Sequence, residues 1–166
     1  MPTGKEVFQK YLNNIFIETG ALVGDGIQHA LDAGFKTVFS IELSKTLYNR
    51  CVDRFKNCDN VHLIHGDSSK VLGDLLTMIK EPTTFWLDAH ESKPVEKNKS
   101  PLISELRIIS NHPIKTHTIL IDDIRCFGMF GFDIEIIKSE ILKINKDYKF
   151  SYEYGFQADD ILTATI

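Results

Sequence analysis

Residues 15–26 read Ile15-Phe16-Ile17-Glu18-Thr19-Gly20-Ala21-Leu22-Val23-Gly24-Asp25-Gly26, an apolar run that ends in an acid and a glycine-rich turn. A short, fully apolar run is what a central strand of a parallel sheet needs, because helices cover both of its faces. The glycines let the backbone approach a ligand and take up positive φ, and a helix that follows such a turn presents free N–H groups. Ile27, Ala30 and Leu31 mark that helix, Gly34 stops it, and Thr37 to Ile41 read as the next strand. One strand–helix–strand unit is complete.

The unit repeats outward along the chain. Ser44 caps a helix carrying Leu47, Cys51 and Phe55, Val61 to His65 is a strand, and Val71, Leu72, Leu75, Leu76 and Ile79 line another helix. Thr84 to Leu87 is the fourth strand. Ser100-Pro101 opens a helix from Leu102 to Ser110, His117 to Ile121 is the fifth strand, and Asp133 to Ile144 the last long helix. Upstream, Thr3 and Glu6 fit a capping box before Val7, Phe8, Tyr11 and Leu12. The polar, lysine-rich stretch from Ala89 to Ser100, with Lys93, Lys97 and Lys99, reads as an exposed loop. Phe127, Met129, Phe130 and Phe132 form an apolar loop interrupted by glycines, which either covers an acceptor or caps the core. Tyr148 to Tyr154 and Ile161 to Ile166 are two strands whose short link implies an antiparallel pair. The expected fold is a three-layer α/β sandwich of one domain over residues 1–166. Its sheet is Rossmann-like, seven-stranded and mostly parallel, with a C-terminal antiparallel hairpin.

Composition narrows the function. The 166 residues are 43% hydrophobic and 25% charged, and no apolar run approaches the roughly 18 residues of a membrane span. The first fourteen residues lack a secretory signal, so a cytoplasmic location is expected and no membrane partner. Cys51, Cys58 and Cys126 form no CxxC pair and no disulfide framework. A formal net charge of −4 has the wrong sign for gripping phosphates, so no nucleic acid is expected.

In open α/β sheets ligands bind beyond the carboxyl ends of the strands. Acids stand there: Glu18, Glu42, Asp67, Asp88, and the pair Asp122-Asp123. The first turn spaces its glycines as GxxxGxG, not the GxGxxG of dinucleotide-binding folds, which argues against NAD and FAD. Glu42 is placed to accept hydrogen bonds from ribose hydroxyls. No GxSxG elbow and no phosphate-binding GxxxxGK[ST] loop is present, so a hydrolase on this scaffold finds no support.

From about Ile15 to the terminal hairpin the chain resembles class I S-adenosylmethionine-dependent methyltransferases. The turn Glu18 to Gly26 looks most like that of the catechol and caffeoyl-coenzyme A O-methyltransferases, in which Ser or Thr often stands at the position of Gly26. Ser40 to Leu43, His65 to Ser69, Phe85 to His90 and Ile119 to Asp123 follow in that family's order and spacing. The paired aspartates after the fifth strand also resemble the macrocin-type, sugar-directed O-methyltransferases. The resemblance implies that S-adenosyl-L-methionine is the cofactor, with Glu18, Gly20, Gly24 and Gly26 at its methionine part, Glu42 on its ribose, Asp67 and Ser68 at its adenine, and Asp88 facing it.

Neighbouring strands lie about 4.8 Å apart, so Asp88, Asp122 and Asp123 can meet one Mg²⁺ or another divalent cation through hard oxygen ligands. Such an ion would hold a substrate hydroxyl and lower its pKa. The catechol-type enzymes place a lysine base three residues after the fourth-strand aspartate, where this chain has Glu91; His90 is the substitute expected, with Lys93 second. His62 and His65 read as packed or surface residues, and His29, His112 and His117 show no ligand spacing. The expected activity is O-methylation of a small-molecule or sugar hydroxyl, with a non-catalytic cofactor-binding module as the alternative. Because few residues precede the first strand, either the acceptor is large or open to solvent, or a second subunit of a homo-oligomer closes the site.

Overall fold

The computed structural model describes residues 4–89, 100–130 and 133–166. Its strands are β1 (Ile15–Thr19), β2 (Thr37–Glu42), β3 (Val61–His65), β4 (Thr83–Leu87), β5 (Thr118–Ile121), β6 (Lys149–Glu153) and β7 (Ile161–Thr165). They form one sheet in the order β3-β2-β1-β4-β5-β7-β6. The first five run parallel, and β7 pairs antiparallel with β5 on one side and β6 on the other. This is the mostly parallel seven-stranded sheet with a closing hairpin that the strand pattern predicts.

The helices are α1 (Lys5–Lys10), α2 (Asp25–Ala33), α3 (Lys45–Phe55), α4 (Ser68–Leu76), α5 (Leu102–Asn111), α6 (Phe127–Phe130) and α7 (Ile134–Ile144). Alternation along β1 sorts them into two layers. Ile17 packs with Leu72, Leu106 and Ile141 of α4, α5 and α7, whereas Phe16 packs with Phe8, Ile27 and Phe55 of α1, α2 and α3. Every residue of β4 is buried, which is why a central strand carries no solvent-facing polar alternation. Short side chains set several helix starts: Ser44 accepts from the Leu47 N–H at 3.4 Å, and Asp133 from the Glu135 N–H at 2.9 Å. Among the described residues no helix is long and apolar enough to cross a membrane.

Three local features depart from the pattern reading. Helix α1 begins at Lys5 behind Gly4, with no side-chain cap, and Thr3 of the expected capping box lies outside the described residues. Aromatic packing places it instead, since Phe8 meets Phe16 and Trp86 with ring centroids 4.9 and 5.1 Å apart. Residues 127–130, part of the stretch 126–132 expected as a loop, form the short helix α6 behind a 3₁₀ turn (Ile124–Cys126), because burial of Phe127 in the core outweighs the helix-weakening Gly128. His112 and His117, which showed no ligand spacing, meet in the interior, with His112 Nδ1 and His117 Nε2 2.9 Å apart. His117 Nδ1 accepts from the Thr83 N–H at 3.1 Å, so its Nε2 carries the proton and donates to His112, whose own Nε2–H reaches the Ile79 carbonyl at 3.2 Å. Burial pushes the His117 pKa down to about 4, with His112 and Lys115 adding to the effect.

The polypeptide just before β1 also reaches the far edge of the sheet. Lys10 Nζ and the Tyr11 hydroxyl donate to the two carboxylate oxygens of Glu153 on β6, at 2.7 and 2.9 Å.

Candidate functional site

The strand order reverses between β1 and β4, and the residues beyond these two carboxyl ends form the crevice that α/β sheets use for ligands. Gly20 makes the two ends meet. It has φ +87°, and a Cβ there would lie 2.6 Å from the Asp88 carbonyl oxygen, so only glycine lets β1 turn away this close to β4. The Asp88 N–H in turn donates to the Thr19 carbonyl at 3.1 Å.

Glu18 is buried beneath this turn. Its register partner on β2, Ser40, donates its hydroxyl to Glu18 Oε2 at 2.5 Å. Its other oxygen lies against the first turn of α2, where a Cβ on Gly26 would fall 1.9 Å from Glu18 Oε1. Burial raises the Glu18 pKa to about 7, the Ser40 bond opposes the rise, and the carboxylates of Glu42 and Asp25 add to it. Gly26 therefore makes room for the Glu18 carboxylate, and Gly24 stands against the Phe55 ring at the cap of α2.

Glu42 ends β2 in a fixed orientation. Its Oε2 accepts from the Leu22 N–H at 2.9 Å and its Oε1 from the Ser44 N–H at 2.7 Å. Leu22 holds φ +50°, a conformation uncommon for a side chain of that kind, and the Cys51 thiol reaches its carbonyl at 3.7 Å. Leu22 is thus pinned from both sides, its N–H by Glu42 and its carbonyl by Cys51, which holds the turn in this shape. Burial, reinforced by Glu18 and Glu42, pushes the Cys51 thiol up to about 11, which keeps it protonated and unreactive.

One strand further out, Asp67 caps α4. Its Oδ1 takes the Ser69 N–H at 3.0 Å and the Ser69 hydroxyl at 2.6 Å, while Lys70 lies 3.1 Å from Oδ2. The Ser69 hydroxyl above all holds this carboxyl below the usual range. Ser68 is buried at the first position of the helix.

On the other side of β1, burial and then the charges of Asp122, Asp123 and Glu18 push the Asp88 pKa well above the ordinary carboxylate value, against a side-chain hydrogen bond with Trp86. Asp122 and Asp123 follow β5, and Asp122 Oδ1 accepts from the Asp123 N–H at 2.8 Å. The residue that completes their cluster is Asp160, whose carboxylate lies with theirs inside a span of 4.8 Å. The strand-end reading passed over Asp160, because it precedes a strand instead of following one. It also missed Ser40 and Arg125; Arg125 pairs with both Asp123 and Asp160. His90 lies outside the described residues, as do Glu91 and Lys93. Glu18, Gly20, Glu42 and Asp88 thus converge at the ends of β2, β1 and β4, with Asp67 and Ser68 beyond β3 and Asp122 and Asp123 beyond β5.

No family model matches the chain, and no curated protein sequence matches it. Solved structures share its fold. A methyltransferase of Podospora anserina with bound S-adenosylhomocysteine superposes at a TM-score of 0.66 and 14% identity, over 97% of this chain and 75% of that one. An O-methyltransferase of Bacillus cereus, also with S-adenosylhomocysteine, gives 0.67 at 13% identity, over 98% and 78%. An rRNA methylase of Streptococcus thermophilus gives 0.59 at 12% identity, over 97% and 93%. The chain shares with these structures the Rossmann-like α/β fold. That fold is shared by enzymes whose names specify different acceptors, so the fold by itself does not choose the acceptor.

Proposed function

We propose that this chain is an S-adenosyl-L-methionine-dependent methyltransferase acting on a hydroxyl of a small molecule or saccharide. The observation that carries the reading is Glu42. A buried carboxylate at the end of the strand beside the switch point is held by two backbone N–H groups, one from the turn after Gly20. Each of its oxygens keeps lone-pair capacity for a further donor, which suits a pair of ribose hydroxyls. Glu18 and Asp88 stand on either side of Gly20 with raised pKa values, and an ammonium and a sulfonium placed beside them would favour their ionised forms. The residues therefore fit this cofactor.

When bound, S-adenosyl-L-methionine supplies a methyl group on a positively charged sulfur, which is a good leaving group. The chain has to hold the donor, hold the acceptor in line, and take a proton. Glu42 fixes the nucleoside end, and Glu18 with Asp88 fixes the charged end. Proton removal is assigned to His90, because histidine is the residue type whose unperturbed pKa lies near neutrality. That role predicts a rate that falls below about pH 6. The acidic residues beyond β5 fit a divalent ion poorly, since Asp123 and Asp160 already hold the Arg125 guanidinium. No step is routed through a metal.

Calorimetric titration of S-adenosylhomocysteine, with NAD as control, tests the reading. Micromolar binding of the former and none of the latter is expected, and Glu42→Ala should weaken it about 10- to 100-fold through loss of charge-assisted hydrogen bonds. Absence of binding in the wild type overturns the cofactor assignment. Unchanged affinity in Glu42→Ala shows that the ribose lies elsewhere.

A further inference from the structure

Three carboxylates that approach within 4.8 Å of one another, as Asp122, Asp123 and Asp160 do, repel strongly unless a cation joins them. The chain provides one. The guanidinium of Arg125 donates from one nitrogen to both Asp123 Oδ1 and Asp160 Oδ2. Its anchor is built into the fold. Asp160 is fully buried, and it also accepts the Arg125 N–H at 3.2 Å and the Phe156 N–H at 3.0 Å. Gly155 packs against it so closely that a Cβ would come within 3.0 Å of the Asp160 side chain. The exposed ring of Phe156 then covers the guanidinium, 4.7 Å from the Arg125 Cζ. Arg125 is thus fixed by two carboxylates below and an aromatic ring above, and its only alternative is to leave Asp160 buried without a partner charge.

A divalent ion needs several of these same oxygens with their lone pairs directed at it, and would bring a second positive centre beside a guanidinium that is always charged. From this geometry, and resting on the methyltransferase reading above, we infer that Arg125 takes the place of a divalent cation beyond β5. Methyl transfer by this chain then proceeds without a metal. Asp123 and Asp160 act here as positioning residues for the guanidinium.

Titration with Mn²⁺, read by the loss of the free-ion electron paramagnetic resonance signal, tests this without reference to activity. The wild type should leave the signal of free Mn²⁺ unchanged at micromolar to submillimolar concentrations. Arg125→Met should acquire a site that removes it, and Arg125→Lys, which keeps the charge, should not. S-adenosylhomocysteine affinity and the thermal melt of each variant establish that the fold and the cofactor crevice are intact. Tight Mn²⁺ binding by the wild type overturns the inference, and so does a folded Arg125→Met that stays indifferent to Mn²⁺. Failure of the methyltransferase reading would appear differently, as no S-adenosylhomocysteine binding in any variant, whatever the manganese result. With an acceptor in hand, turnover should survive exhaustive chelation.

Discussion

The Ser40 hydroxyl donates to Glu18 Oε2 at 2.5 Å from the position directly opposite on β2, inside a crevice wall where both residues are buried. This bond is the main force holding the Glu18 pKa down against burial, which nevertheless brings it to about 7. A carboxyl with that pKa is half protonated at neutrality, and only its ionised form attracts the ammonium of the cofactor. Affinity for S-adenosylhomocysteine should therefore rise between pH 6 and 8 with a midpoint near 7. Removing the hydroxyl in Ser40→Ala should move the midpoint upward. Binding that is flat over this range would show that Glu18 does not face the charged end of the ligand.

The same carboxyl affects folding stability in the opposite sense to most acids. Its folded pKa of about 7 lies above the ordinary 4.5, so the native state holds the proton more tightly than the unfolded chain. The stability it contributes is complete below pH 4.5 and is lost as pH rises through 7. Glu18→Gln, which keeps shape and acceptor oxygen, should gain on the wild type as pH rises from 5 to 8, by up to roughly 3 kcal/mol. Denaturant melts of both proteins at the two pH values measure this, and a difference independent of pH would refute it.

Gly26 and Glu18 should be energetically coupled. A methyl group at position 26 collides with Glu18 Oε1, and the cost of such overpacking is typically about 1–3 kcal/mol. Gly26→Ala should destabilise the protein by this amount in the wild-type background and by much less beside Glu18→Ala. A double-mutant cycle with an interaction energy near zero would mean that the helix shifts to make room.

The His112–His117 pair lies at the opposite end of the sheet from the crevice, and it predicts acid sensitivity. His117 has its folded pKa lowered from 6.5 to about 4, so its stabilisation is present above pH 6.5 and is lost as pH falls through 4. The wild type should lose thermal stability from pH 7 to 5 faster than His117→Gln, although the variant starts from a lower melting temperature. Parallel decline of the two would remove the pair as the cause.

Much of the sheet could be read from periodicity, because β1 and β4 are buried on both faces and their composition has no other stable placement. The converging acids Glu18, Glu42 and Asp88 were legible for a related reason: each follows directly on an apolar run. The roles of the glycines were harder to see. Gly26 serves Glu18, its neighbour across the turn, and nothing in the local sequence distinguishes that from contact with a ligand. Asp160 was hidden by chain direction. The first residue before an antiparallel strand lies at the same end of the sheet as the last residue after a parallel one, so a search confined to strand ends passes over it. The same blindness concealed the pairing of Arg125 with Asp160, 35 positions away.

The contacts from Lys10 and Tyr11 to Glu153 span 143 and 142 positions of sequence. Such pairings can form only after the intervening chain has organised, since closing so long a loop has an entropic cost that few early contacts offset. Until β6 and β7 arrive, β5 is an open edge and Arg125 has no buried carboxylate to hold it. Docking of that hairpin is therefore expected late in folding, where it covers the edge of β5, ties α1 to β6 and completes the acidic corner. A chain arrested before residue 149 during synthesis would carry a crevice already outlined by Glu18 and Glu42, but with its β5 side still unformed.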